Sequence, residues 1–273
     1  MTGFIAEEAR ITETAKPPAP ESVPSGFRRR LSRIPIDVWF EPLVIVVVGV
    51  GFAIWYANTT FTTTESASMS WAALRATILD HIQLTLVATV IVVVIAIPLG
   101  IALTRPSLRW LNPIAVNIAN IGQAAPAIGL LVLLFLATHR TGFWIGVLPV
   151  AVYSLLPVLR NTIVGIRNVD PALIDAARGQ GMTSARVLRT VELPLAVPFI
   201  LAGLRTTLVL AVGTATLSFL VDAGGLGIFI DTGYRLQDYT TLAVGSVLAV
   251  CLALFVDWLG EVGELLFNPK GLR

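Results

Sequence analysis

Charge is what this sequence has least of. Only 13% of its 273 residues are Asp, Glu, Lys or Arg, against roughly 25% in an average soluble domain. A chain of this length cannot cover a water-soluble globule with so few charges. The hydrophobic fraction of 55% and the mean hydropathy of +0.81 turn that exclusion into a class, an all-α polytopic membrane protein. Cysteine is almost missing as well: Cys251 stands alone, so no intramolecular disulfide can form, and within an apolar run it reads as a small core hydrophobe. The only lysines are Lys16 and Lys270, and neither follows the glycine pattern of a phosphate-binding loop. The two histidines, His81 and His139, have no cysteine at ligand spacing and only Asp80 as a neighbouring acid. They are expected to be interfacial anchors. No catalytic grouping can be assembled from the apolar runs, so no catalytic residue, metal or cofactor is assigned. No nucleic-acid partner is expected.

What the chain does have is six apolar runs, at 39–57, 81 or 84–104, 111–138, 143–159, 195–221 and 240–256. Each has at least about 17 residues, enough to cross a bilayer core of about 30 Å. Trp39 at one end of the first run and Trp55 with Tyr56 at the other suit the two membrane interfaces. Residues 1–35, proline-rich and then basic at Arg28, Arg29, Arg30 and Arg33, are expected to be a disordered tail that is not a cleavable signal peptide. The domain plan is therefore this tail, an N-terminal helix at 36–58, an external loop at 59–80, a core at 81–262 with a polar loop at 160–194, and a tail at 263–273.

Orientation follows from the basic residues. With the N-terminus inside, fifteen of the nineteen Lys and Arg fall on that side and three, Arg75, Arg140 and Arg235, fall outside. Both termini and the 160–194 loop are thus expected in the cytoplasm. The nineteenth, Arg205, lies within the fifth run and admits two readings. It is either a pathway residue, or a structural charge that pairs with Glu192 or a helix end, or snorkels to the interface. Asn117, Asn120 and Gln123, with Pro126 downstream, form a polar, kinkable stripe that suits pathway lining or interhelical hydrogen bonds. Gly213, Thr214, Ala215 and Thr216 form a small-residue patch that permits close helix packing, across a subunit interface or within the chain. The glycine-rich turn from Asp222 to Gly227 is expected to open a short re-entrant or surface segment.

The polar island 170–194 reads DPALIDAARGQGMTSARVLRTVELP. Asp170 can cap a helix that starts at Pro171. Leu173, Ile174 and Ala177 fall on one face by their spacing, and Gly181 can turn the chain. Asp175-Ala176-Ala177, three residues, Gly181, nine residues, then Val191-Glu192-Leu193-Pro194 resembles the EAA loop of permease subunits in binding-protein-dependent ABC importers. Every spacing agrees, with Asp for Glu and Val for Ile. The small Ala176 and Ala177 would let another helix approach closely. The similarity covers roughly 84–261. Leu156-Pro157, Gly165-Ile166, Ala202-Gly203-Leu204-Arg205-Thr206 and Ala223-Gly224-Gly225-Leu226-Gly227 resemble the permeases for glycine betaine, choline, carnitine and proline.

The resemblance implies a type I ABC importer permease fold with about six transmembrane helices in a prokaryotic plasma membrane. It implies that Asp175, Ala176, Ala177, Gly181, Leu193 and Pro194 dock or orient a loop on a separate ATPase subunit, so the chain is not itself an enzyme. It further implies a second permease chain, identical or homologous, and an extracytoplasmic substrate-binding protein, all around a lipid bilayer. Gln123, Pro126, Arg205, Gly213, Thr214 and Thr216 are the candidates for the path or the dimer interface. A methionine or other amino-acid importer is the alternative within the class. Outside it stand an ion-coupled secondary transporter, which would need intramembrane acids that no run holds mid-span, and a membrane scaffold.

Overall fold

The helices are long where the sequence is apolar and run through Pro98, Pro149, Pro157 and Pro198, with a sharp break in the third run at Pro126. The computed structural model describes residues 36–60 and 69–267; the expected tail at 1–35 and residues 268–273 lie outside them. Among the described residues there are ten α-helices and no strand. α1 (Phe40–Asn58) is apolar along its length apart from Glu41 in the first turn and fully buries no residue within the chain, as a lipid-facing helix should. Its last turn is closed by Asn58 and Thr59, whose side chains donate to the carbonyls of Ile54 and Trp55 at 2.7 and 2.8 Å.

α2 (Trp71–Thr104) starts ten residues before the expected run, because Ser70 caps it and accepts from the Ala73 amide. Its first stretch, with Ala72, Ala73, Leu74 and Arg75, is made of good helix formers. Low hydropathy there removes it from the hydrocarbon without removing it from the helix. The third run is the main correction. Instead of one continuous helix it forms α3 (Asn112–Ala124) and α4 (Ala127–Thr138), bent by 96° at the break. Ala125 is extended, with ψ 137°, because the ring of Pro126 excludes the helical conformation from the residue before it.

α5 (Phe143–Arg167) is the hub, packed against α2, α3, α4 and α8. α6 (Pro171–Gly179) and the single-turn α7 (Ser184–Val187) form the polar loop. A π-helical turn at Leu188–Glu192 then runs without a break into α8 (Leu193–Ala215). The wider turn falls just before Pro194, which has no amide hydrogen for the helical ladder. α9 (Gly227–Leu236) has ten residues, about 15 Å, too short to cross, and doubles back along α10. This is the short segment foreseen after the glycine turn. α10 (Tyr239–Phe267) runs eleven residues past the expected end. Five helices are long and apolar enough to span, or six counting the bent pair as one.

Lipid removes most of the hydrophobic drive between helices, so close approach and hydrogen bonds hold them together. A Cβ on Gly100 of α2 would sit 2.8 Å from Thr162 of α5, and one on Gly203 of α8 would sit 2.8 Å from the Pro157 carbonyl. These contacts let α2 and α8 lie directly on α5. Thr207 of α8 donates to the Ser154 carbonyl of α5 at 2.8 Å. Leu84, Ala88, Val92, Val150, Val158 and Ala211 fill the space between them.

Candidate coupling loop and path residues

α6 is terminated at both ends by local chemistry. Asp170 accepts from the Ala172 amide at 2.8 Å, and Pro171 occupies the first turn. At the other end Gly181 adopts φ +80°. Its amide donates to the Arg178 carbonyl at 2.8 Å, and the Met182 amide donates to the Ala177 carbonyl at 3.2 Å. This paired pattern is a Schellman motif. The small acceptor residues do not share one face. Ala177 is 6% exposed and points into the chain, whereas Leu173 is 49% exposed, and Asp175 and Ala176 are also exposed. The expectation of a common face for Leu173, Ile174 and Ala177 is therefore corrected: Ile174 and Ala177 turn inward, and Leu173 and Ala176 face out. Thr183 precedes α7 without a side-chain cap bond. Leu193 is half-buried and Pro194 exposed in the first turn of α8.

Glu192, which is buried, pairs with Arg105 at the end of α2. The Arg105 guanidinium also donates to Thr104 Oγ1 at 2.9 and 3.1 Å. The start of α8 is thereby tied to the turn between α2 and α3. Nearby, the Asn112 carboxamide faces the Arg167 guanidinium, and with its oxygen assigned to that side, the orientation that satisfies both groups, it accepts from both terminal nitrogens at 3.2 and 2.5 Å, joining α3 to the end of α5.

Arg205 has partners other than Glu192. Its Nε donates to Asp257 Oδ1 at 2.5 Å and its Nη2 to Asp257 Oδ2 at 3.0 Å. Glu41 of α1 and Glu261 of α10 lie at 3.3 and 3.5 Å from the same nitrogen. Gly260 makes room for the stem, since a Cβ there would meet Arg205 Cγ at 2.8 Å. The statement that no acid falls within a span is corrected accordingly. The sixth run was closed at residue 256, one residue before Asp257, and the spacing of Asp257, Glu261 and Glu264 at helical intervals was the signal that would have extended it.

The remaining candidates divide. Gln123 is half-buried and Pro126 exposed at the break of the bent pair, while Asn117 and Asn120 are exposed. Thr214 is 8% exposed, and its hydroxyl donates to the Leu210 carbonyl at 2.7 Å. Thr216 bonds to the Gly213 carbonyl at 2.6 Å. A Cβ on Gly213 would touch nothing within 4 Å, so this glycine faces away from the rest of the chain. His81 is not an interfacial anchor. It is fully buried, its Nδ1 accepts from the Leu226 amide at 3.1 Å, and its Nε2 lies 3.1 Å from the Val212 carbonyl. It stitches α2 to Val212 within α8 and to Leu226 of the glycine-rich turn.

An all-α, multi-pass bundle with a bent third span and a capped loop helix between its fourth and fifth spans defines a type I importer permease. The family model described as binding-protein-dependent transport system inner membrane component matches residues 96–264, and the chain belongs to that family. Among its relatives, the glycine betaine/carnitine/choline transport system permease protein OpuCB of Bacillus subtilis is 36% identical over 194 residues, 71% of this chain and 88% of that protein. The osmoprotectant import permease protein OsmW of Salmonella typhimurium is 35% identical, over 71% of this chain and 91% of its own. The inward-facing MetNI methionine ABC transporter superposes with a TM-score of 0.63 at 26% identity, covering 72% of this chain and 96% of the matched one. The chain is thus an ABC transport permease.

Proposed function

We propose that this chain is the path-forming subunit of an ATP-driven importer for a small osmoprotectant such as glycine betaine, choline, carnitine or proline. It works as one of two permease chains, identical or homologous, with its loop end and both termini in the cytoplasm. A separate ATPase docks on α6, and an extracytoplasmic binding protein delivers the solute. The observation that carries this reading is the loop itself, its helix closed by the Asp170 side chain at one end and a Schellman turn at the other and presenting Leu173, Asp175 and Ala176 outward.

The loop suits the transmission of force. From Ser184 to Ala215 the chain is helical throughout, so a push on α6 crosses only the turn at 180–183 before it enters a continuous helix that reaches the middle of α8. The Arg105 to Glu192 pair carries the same push to α2. ATP-driven approach of two such loops would tilt the spans, and hydrolysis on the other subunit would reset them. Asn120 and Gly213, turned away from the chain's own core, and the half-buried Gln123 supply polar and small surface for the path or the second permease. Selectivity for a quaternary ammonium would rest mainly on an aromatic cage in the binding protein.

The test is co-purification in mild detergent followed by uptake. Ala176→Trp on the outward face should release the ATPase while the chain still elutes as a single species. Labelled glycine betaine, choline, carnitine and proline should compete for uptake, and methionine should not. Retention of the ATPase by Ala176→Trp together with Leu173→Asp would refute the docking face, and uptake of methionine alone would refute the solute class.

A further inference from the structure

The α2 to α3 turn and the end of α5 enclose an open cavity of about 270 Å³, lined by Arg109, Asn112, Pro113, Val116, Asn117 and Arg167. Two guanidinium groups and two carboxamides line it, with no carboxylate. Its charge is not neutralised locally: among the described residues neither Arg109 nor Arg167 forms an ion pair, whereas Arg105 is paired with Glu192 and Arg205 with three acids. With its oxygen assigned toward Arg167, Asn112 holds that guanidinium in place, so this fork is positioned before any ligand arrives. Beside the cavity, Trp110 is 64% exposed. On the adjoining face of α3, Ile114, Ile118 and Ile121 are 49, 65 and 70% exposed and follow one another at helical spacing.

We propose that this cavity binds a phosphate group, and that the phosphate belongs to an anionic phospholipid. Paired guanidinium groups match phosphate oxygens in geometry and charge. A free phosphate would use only the cavity. A phosphodiester headgroup would also use what surrounds it, with the indole of Trp110 at headgroup level and the acyl chains along the isoleucine stripe. The proposal rests on the cavity and its rim and stands whether or not α6 binds an ATPase.

The test uses the full chain in nanodiscs of phosphatidylcholine and phosphatidylglycerol, with bromine on the acyl chains of one lipid or the other. Quenching of Trp110 is isolated by subtracting the Trp110→Phe protein. Brominated phosphatidylglycerol should quench Trp110 more strongly than brominated phosphatidylcholine at equal mole fraction. Arg109→Gln and Arg167→Gln should each lower that preference about fivefold, and the Lys variants should keep most of it. If millimolar inorganic phosphate abolishes the preference, the site takes a soluble phosphate and the lipid source is wrong. Equal quenching by both lipids with no effect of phosphate overturns the site altogether. A cross-link between Asn117→Cys side chains of two copies, made in the Cys251→Ser background, would assign the cavity to a second permease and also overturn it.

Discussion

Replacing Arg205 by Gln should be among the most costly single changes within the spans. The substitution leaves Asp257, Glu41 and Glu261 converging with no cation between them. Removing one partner of a fully buried ion pair costs about 3–5 kcal/mol. Here the four side chains retain 21 to 27% exposure, so the expected loss is about 2–3 kcal/mol. Most of it should belong to Asp257, the only acid held through both oxygens, at 2.5 and 3.0 Å. Asp257→Asn alone should therefore cost less than Arg205→Gln, and the double variant should recover at least about 1 kcal/mol relative to the sum of the two. Glu41→Gln, which loses one contact at 3.3 Å, should cost under about 1 kcal/mol. Unfolding in mixed micelles titrated with a denaturing detergent gives these differences. If the Arg205 and Asp257 effects add to within about 0.3–0.5 kcal/mol, the pair is not coupled, and the assignment of Arg205 as the tie between α8 and α10 is wrong.

Four further outcomes rest on local geometry. Gly181 holds φ +80° with nothing near its missing Cβ, so substitutions there cost only conformational energy, about 1–2 kcal/mol for Ala and less for Asn; tryptic cleavage at Arg178 should speed up about 5- to 30-fold for Ala, and more for Val. His81→Phe should destabilise the chain by about 1–3 kcal/mol, because the buried Leu226 amide loses its acceptor; a thermal midpoint equal to that of the unaltered chain would contradict this. Gly203→Ala should cost about 1–3 kcal/mol through its clash with the Pro157 carbonyl. Gly213→Ala should leave the isolated chain unchanged to within about 0.5 kcal/mol, so any defect in the assembled transporter would report a neighbour at that position.

The class of the protein and the local chemistry of its loop were legible in the residues alone. Composition forces spans, because uncharged runs of this length have no other stable solvent. The caps of α6 are equally local: Asp170, Pro171 and Gly181 act through backbone groups within a few positions, so their roles survive without knowledge of the rest. Everything that depended on which residues meet across helices was decided by tertiary structure. Periodicity within α6 could not say that Ala177 turns inward and Leu173 outward, since that depends on what the loop packs against. Pro126 signalled a weak point, but a bend of 96° rather than a slight kink needs the packing of α4 on α5. The partner of Arg205 sits 52 residues away, and Glu192, nearer in sequence, is held by Arg105 from 87 residues upstream. Sequence fixes the cost of placing such charges near lipid, and only the fold brings together the groups that offset it.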